Sequence, residues 1–282
     1  MRGWKRIRTS LIFLWTDASS IHFRSDMNET RTLYLSGAEL AQAVPPREYN
    51  RLLQLPKAHE LEGDLLDRAQ QARSWYEQHG HPFVAFRRVA VHEVSDSTIL
   101  LEDDVQLSSL VLAQRLKAGE SQALMILAAT AGHEVSKEVT KHWKEGRPDE
   151  GFFLDRFAVG VTERLLFWTA ATICRESEEA HETLMPHLSP GCGNWDLTDQ
   201  NKLMNFLAGE TNTIGPIRMF ESGGLDPAHS VLAAMGVTNR RFANTPEYLC
   251  RTCDLDPCEF RRAPFGGEII RELTAKAPRR QG

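Results

Sequence analysis

The longest helical pattern in the chain, residues 152–176, most constrains the fold. Its apolar residues recur at helical spacing and form one continuous stripe: Phe153, Phe157, Val161, Leu165 and Trp168. A pattern of this length predicts a helix of about seven turns. Such a stripe faces a core in a globular protein, so this helix is expected to pack against other elements.

Shorter patterns on both sides of this helix predict a mixture of strands and helices. The apolar run at 123–130 has the length and flanking residues of a buried strand. Other strands are predicted at 33–35, 83–89, 97–101 and 214–221, and other helices at 61–78, 108–117, 134–144 and after Thr198. Because no boundary or internal repeat interrupts this mixture, the sequence predicts an α+β or mixed α/β domain over 27–282.

Composition limits the classes of partner. The chain has 282 residues, of which 41% are hydrophobic and 25% charged, and its net charge is -5. This balance does not predict nucleic-acid binding, which needs a basic surface. No apolar run reaches the roughly 18 residues of a membrane span. The basic start is followed by an apolar run at 11–15 that is too short for a secretion signal, so residues 1–26 are interpreted as an extension, with Met27 as an alternative start.

Five cysteines are present, and three of them are close together in the sequence. An odd number of cysteines in a chain of this size favours a reduced, cytoplasmic setting. Cys250, Cys253 and Cys258 have the density of a zinc or iron–sulfur site. The fourth ligand could be Cys192, a histidine such as His187 or His229, a carboxylate or water. The alternative is that these are reduced cysteines with a structural role.

Three other features are candidates for a ligand site. The turn 188–193 contains two glycines that let a ligand approach the backbone, although a plain surface turn has the same pattern. Asp155 and Glu163 are slightly over two helical turns apart and are predicted to share one side of the long helix, facing a cationic or amine ligand or only solvent. The glycine-rich segment 215–230 carries four polar candidates, Arg218, Glu221, Ser222 and His229, or is only a connecting loop. No local Ser/His/Asp, HExxH, dinucleotide or P-loop motif is present.

These pieces occur in an order that resembles the activation (reactivation) domain of cobalamin-dependent methionine synthase. The turn and the following residues, 189–203, are similar to that family's SPGY-like turn, Trp and Gln-x-x-Leu helix. The similar segments elsewhere are 130–134, 154–163, 214–222, 226–230 and the C-x-x-C-x4-C with Arg261, as in free-standing members. The resemblance covers about 80–262, and its specificity lies in the ordered set.

The resemblance implies a C-shaped domain with a twisted antiparallel sheet flanked by helices. It also implies S-adenosylmethionine binding in a shallow groove and reductive remethylation of a cobalamin, with the electron supplied by a flavodoxin-type donor. The implied ligand-binding residues are Asp155, Glu163, His187, Ser189, Pro190, Gly191, Cys192 and Glu221. The sequence departs from the family at two of them, because His187 stands where the family has an arginine and Cys192 replaces an aromatic residue.

The cobalamin-binding modules of a complete synthase are not found in the sequence. The resemblance therefore implies an activation component whose partner is a corrinoid-binding protein or a methionine synthase lacking its activation domain. The alternative is a non-enzymatic metal-binding or docking module of the same fold.

Overall fold

The computed structural model describes residues 28–55, 60–177, 181–192, 195–240, 250–251, 258 and 261–264. The predicted N-terminal extension, 1–26, and Cys253 lie outside the described residues. The helices are α1 (Gly37–Ala43), α2 (Pro46–Leu52), α3 (Gly63–His79), α4 (Leu110–Gly119), α5 (His133–Lys144), α6 (Pro148–Glu176) and α7 (Asp199–Ala208). The strands are β1 (Arg31–Tyr34), β2 (Phe83–Val94), β3 (Thr98–Leu101), β4 (Gln106–Ser108), β5 (Ala123–Thr130), β6 (Thr183–Leu184), β7 (Thr213–Ile214), β8 (Ile217–Met219), β9 (Leu225–Asp226) and β10 (Ser230–Thr238).

A curled antiparallel sheet is the centre of the fold. Its strand order is β4-β3-β2-β5-β10-β6, and β1 pairs with the first half of β2. The long strand β2 pairs with β5 over its first eight residues and with β3 near its end, after a register shift between Val91 and Glu93. A smaller sheet contains β7, β8 and β9. The predicted α+β class with an antiparallel sheet and flanking helices is confirmed.

Two apolar cores lie on opposite faces of this sheet. All eight residues of β5 are buried, and because strand side chains alternate, successive residues enter different cores. Met125 and Leu127 pack with the helices α1, α2, α3, α5 and α6. Leu124 and Ile126 pack with α4, α7 and the short strands. The absence of a polar face in β5 follows from this double covering.

Helix α6 is the main element of the first core. It is as long and as apolar as a membrane-spanning helix, but 61% of its most apolar stretch is buried inside the protein. It packs against α1, α2, α3 and α5 and crosses β5. The helix begins at Pro148, four residues before the predicted start, because proline is well tolerated in a first helical turn.

Two regions differ from the sequence-based expectation. The polar segment before residue 55 contains α1 and α2, which the mixed pattern did not reveal, and Pro46 begins α2. The prediction of one strand at 214–221 was wrong, because β7 and β8 form a hairpin instead. Gly215 lies in its turn with φ of 55°, and an added Cβ would lie 2.4 Å from the Phe83 ring. The hairpin therefore requires glycine at this position.

Candidate functional site

One end of the sheet brings together residues from four parts of the chain. Thr130, the last residue of β5, pairs with Ser230, the first residue of β10. His229 immediately precedes β10, and its carbonyl oxygen accepts hydrogen bonds from Ala131 N (3.0 Å) and Thr130 Oγ1 (3.1 Å). The Thr162 hydroxyl shares its one proton between this oxygen and Ala158 O, each 3.1 Å away. These three donors fix the His229 backbone between β5 and α6.

The His229 side chain connects a serine on α5 to an aspartate on α6. Its Nε2 lies 2.9 Å from Asp155 Oδ1, and its Nδ1 lies 3.3 Å from Ser136 Oγ. In the neutral tautomer that satisfies both contacts, Nε2–H donates to the carboxylate and Nδ1 accepts from the Ser136 hydroxyl. The His229 side chain is 7% exposed, whereas that of Asp155 is 38% exposed. Asp155 therefore has an ordered carboxylate that a ligand can still reach.

Ser136, His229 and Asp155 form a hydrogen-bonded group, the His229 cluster. The sequence singled out Asp155 and His229 separately and missed Ser136. Ser136 and Asp155 lie 93 and 74 residues from His229, respectively. A search for local motifs does not find a group assembled from such distant positions, because only the pairing of β5 with β10 brings them together.

Glu163, the second predicted carboxylate of the long helix, turns to different neighbours. Its Oε2 lies 2.8 Å from Arg51 Nη2 and 2.5 Å from Arg262 Nη2. Glu48 accepts from the same two guanidinium groups, at 3.0 Å and 2.9 Å. These four residues are called the arginine cluster. Asp155 and Glu163 thus contact different partners, although their spacing predicted one shared side.

Electrostatics within the arginine cluster favour the ionised forms. Burial acts to raise the pKa of Glu48, but the neighbouring Arg262 and Arg51 outweigh it and hold the pKa below its usual value. Burial likewise acts to lower the pKa of Arg262, and Glu163 and Glu48 reverse that effect. The two guanidinium groups therefore hold Glu48 in its ionised form.

The predicted Ser189-Pro190-Gly191-Cys192 turn follows a segment that runs beside β10. Leu188 and Ala234 exchange both backbone hydrogen bonds, at 2.9 Å and 2.8 Å. Because this pairing is antiparallel, residues after Leu188 run toward the start of β10, where His229 lies. Within the turn, Gly191 has φ of 88° and its N–H donates to Trp195 O at 2.7 Å. The fold therefore brings the turn to the same end of the sheet as the His229 cluster.

Trp195 anchors this turn to the second core. Its side chain is 2% exposed, and Nε1 donates to Asp199 Oδ2 at 2.8 Å. The buried Asp199 carboxylate also accepts from Ser108 N (2.7 Å) and Lys202 Nζ (2.7 Å). A buried carboxylate with three donors is well satisfied and holds the turn against α7 and β4.

His187, which precedes the turn, is an uncharged group in this environment. Burial, together with the neighbouring cations Arg115 and Arg262, lowers its pKa to about 4. Its ring packs edge-on against Phe167 on α6, with 5.6 Å between ring centres. Since the imidazole is neutral near pH 7, it brings no positive charge to a ligand carboxylate.

Glu221, the remaining predicted ligand-binding residue, is exposed in the turn that joins β8 to β9. Phe220 N donates to Gly224 O at 2.9 Å and closes this turn. Gln200 Nε2 donates to Gly223 O at 2.6 Å, so the turn is tied to α7. Glu221 is therefore accessible, on a loop held by the same helix that carries Asp199.

The predicted metal ligands are described only in part. Cys250 Sγ accepts a hydrogen bond from Arg262 N at 3.2 Å, and Arg261 N donates to Cys258 O at 3.3 Å. Within the part of the chain that the structure describes, no three candidate ligands gather around one point. His229, one of the candidate fourth ligands, has both ring nitrogens engaged by Ser136 and Asp155. The metal site thus stays a prediction, since Cys253 lies outside the described residues.

Comparisons with known proteins relate this chain to others by its fold. No protein-family profile matches the sequence, and no curated protein is significantly similar to it. Among solved structures, the crystal structure of the MetH reactivation domain bound to AdoHcy matches with a TM-score of 0.59 and 13% sequence identity. The match covers 77% of this chain and 80% of the other. At this identity the likeness concerns architecture alone, and this chain has the fold of the MetH reactivation domain.

Proposed function

We propose that this chain binds an S-adenosyl ligand at the Asp155 end of the sheet. The observation that carries the proposal is the accessible Asp155 carboxylate, which in the described part of the chain is held by one hydrogen bond, from His229. A carboxylate in this state can accept charge-assisted hydrogen bonds from the ammonium group of an amino-acid moiety. The similar MetH reactivation domain was crystallised with AdoHcy, which carries such a group.

The other predicted ligand-binding residues would contribute in different ways. The Ser189–Cys192 turn would shape the site at the same end of the sheet, with Gly191 allowing close approach, while the N–H groups of Gly191 and Cys192 are bonded within the turn. Cys192 offers only a small side chain for packing at that point. Neutral His187 provides no cation for the ligand carboxylate, so recognition would rest on the ammonium group of the ligand. Glu163 would support the site indirectly, because both arginines of the cluster already bind it.

The proposed role is that of an activation component for a cobalamin-dependent methionine synthase or a related corrinoid methyltransferase. Bound S-adenosylmethionine supplies a sulfonium methyl group, and the residues around Asp155 contribute its placement. The cobalamin would be carried by a corrinoid-binding protein or by a methionine synthase lacking its activation domain. The electron would come from a flavodoxin-type donor.

Titration calorimetry tests the ligand part of this proposal. We expect S-adenosylmethionine and S-adenosylhomocysteine to bind the full chain, and Asp155→Asn to weaken both. Asp149→Asn is a matched control, because Asp149 lies on the same helix, is 66% exposed and contacts Arg68. The absence of heat at millimolar ligand with the unmodified chain would contradict the proposal.

The activation part needs the corrinoid partner. We expect that the chain, with S-adenosylmethionine and a reductant, converts cob(II)alamin to methylcobalamin on a synthase that lacks its activation domain. The absorbance spectrum of the cobalamin measures this conversion. Asp155→Asn should slow this conversion and Asp149→Asn should not. Ligand binding without any conversion would restrict the function to binding.

A metal-binding module is the second candidate. It is supported by the backbone N–H of Arg262 that donates to Cys250 Sγ, since such donors stabilise thiolates that bind zinc or iron. Elemental analysis after anaerobic purification should then find zinc or iron, and Cys253→Ala should lose it. Cys174→Ala is the control, because Cys174 lies near the end of α6, contacts Thr183 of β6 and also accepts a backbone hydrogen bond at Sγ, from Leu184 N. A stable protein without metal would contradict this reading.

A further inference from the structure

We infer that His229 and Ser136 are positioning residues that orient the Asp155 carboxylate toward the ammonium group of the ligand. This inference rests on the proposed function, because it names the groups that prepare the same site. The sequence pattern did not reveal the pair, and no local motif contains both residues.

The His229 backbone is held by hydrogen bonds from elements other than the strand that follows it. Its carbonyl oxygen accepts from Ala131 N and Thr130 Oγ1, and it shares the Thr162 hydroxyl proton with Ala158 O. Thr162 lies on α6, seven residues beyond Asp155, so the same helix holds both the backbone of His229 and the partner of its ring. The distance between ring and carboxylate is therefore set by packed elements and not by a flexible loop.

The Ser136 hydroxyl can satisfy the second ring nitrogen when the imidazole is neutral. Because Nε2–H donates to Asp155, Nδ1 is left as an acceptor, and Ser136 Oγ at 3.3 Å supplies the donor. A neutral ring with both nitrogens satisfied leaves the full negative charge on Asp155. A doubly protonated ring would instead pair with Asp155 and reduce its attraction for an ammonium group.

A buried histidine with a purely structural role would not require an accessible partner. Here the ring is 7% exposed, whereas the carboxylate that it holds is 38% exposed. His142 on α5 provides the contrast: its ring is also buried, but its nearest carboxylate is that of Glu138, one turn earlier on the same helix. The His229–Asp155 contact joins two elements and presents a charge at the surface of the candidate site.

Calorimetry with two ligands that differ in one group tests the inference. S-adenosylhomocysteine carries the ammonium group, whereas 5′-methylthioadenosine lacks the amino-acid moiety. We expect His229→Phe to lower the affinity for S-adenosylhomocysteine by about 10-fold, the scale of one hydrogen bond to a charged group. Binding of 5′-methylthioadenosine should change by less than about 2-fold. His142→Phe, the control for replacing a buried histidine, should leave both affinities unchanged.

Two milder variants keep the test decisive. His229→Gln retains an N–H that can donate to Asp155, so we expect it to restore most of the affinity for S-adenosylhomocysteine. Ser136→Ala removes one oxygen atom and should lower the affinity for that ligand by about 3-fold. This variant keeps the test available if His229→Phe does not fold.

The outcomes separate the inference from the proposed function. If the unmodified chain binds neither ligand, the proposed function fails and the inference fails with it. If the unmodified chain binds S-adenosylhomocysteine but the His229 and Ser136 variants affect both ligands equally, or neither, the inference alone is overturned. Selective loss with His229→Phe and recovery with His229→Gln would support it.

Discussion

Asp155 and Glu163 lie on the same helix, eight residues apart, but their surroundings are opposite. Among the described residues, the Asp155 carboxylate has one hydrogen-bond partner, the imidazole of His229, and it is 38% exposed. The Glu163 carboxylate receives two guanidinium groups and is 29% exposed. The comparison teaches that a carboxylate on a helix can bind a ligand only if the protein leaves part of its charge uncompensated.

The geometry of the helix explains why the two residues separate. Eight residues advance about 80° beyond two full turns. This rotation directs Asp155 toward the start of β10 and Glu163 toward α2 and the segment at 261–264. The first region is suited to bind a ligand and the second to join the C-terminal segment to the helices.

The largest expected effect is on ligand affinity. Asp155→Asn should weaken S-adenosylhomocysteine by about 10- to 100-fold, because it removes the charge that accepts from the ammonium group. Glu163→Gln should change the affinity by less than about 3-fold, as its charge is already neutralised by Arg51 and Arg262. Calorimetry on both variants checks this, and equal losses would remove the proposed difference between the regions.

The order reverses for stability. Glu163→Gln should lower the free energy of unfolding by about 2 kcal/mol, since it leaves two half-buried guanidinium groups with one carboxylate, Glu48. Asp155→Asn should cost less than about 1 kcal/mol, because its only partner among the described residues is the His229 imidazole, which can still donate to the amide oxygen of asparagine. Chemical denaturation measures both values. A larger loss in the Asp155 variant would contradict the assignment of the arginine cluster as structural.

Glu176, at the end of α6, extends the comparison to a third carboxylate. Burial raises its pKa to about 7 from 4.5, although Arg31 and Arg175 act in the opposite direction. Because the folded state disfavours ionisation, this group lowers stability progressively as the pH rises from about 4.5 to 7. Glu176→Gln should therefore be more stable than the unmodified chain at pH 8 and equal to it at pH 4. Denaturation midpoints across this range test the sign, and a constant difference would contradict it.

The smallest effect concerns His187. Its folded-state pKa of about 4 lies below the usual 6.5, so the folded state resists protonation. The contribution of His187 to the free energy of unfolding is therefore fully present above pH 6.5 and is lost as the pH falls toward 4. His187→Gln should flatten this part of the pH profile with little change at pH 8. If the variant lost stability between pH 6.5 and 4 as steeply as the unmodified chain, His187 would be protonated more easily than its surroundings imply.

Much of the fold could be predicted because its signals are local. The apolar run of β5 and the helical stripe of α6 specify their own secondary structure through periodicity. Helices α1 and α2 were missed because they are seven residues each and only a few of their side chains are buried. The hairpin of β7 and β8 was read as one strand because the contact between Gly215 and the Phe83 ring is not visible in the sequence.

The candidate site could be predicted only residue by residue. Asp155, His229 and the Ser189–Cys192 turn were recognised separately, because each has a polar or glycine-rich pattern. Ser136 has no such pattern, and its role depends on the ring of His229, 93 residues away. The roles of Cys250, Cys253 and Cys258 stay predictions that the metal analysis would decide.

The sequence by itself determined that a long helix with a buried apolar stripe and a separate buried strand must form, because side-chain periodicity is fixed by backbone geometry. Only the tertiary structure decided which carboxylate of that helix keeps an accessible charge. The reason is physical: the charge state and exposure of a side chain depend on the neighbours that packing brings to it. In this chain those neighbours are His229 for Asp155 and two arginines for Glu163.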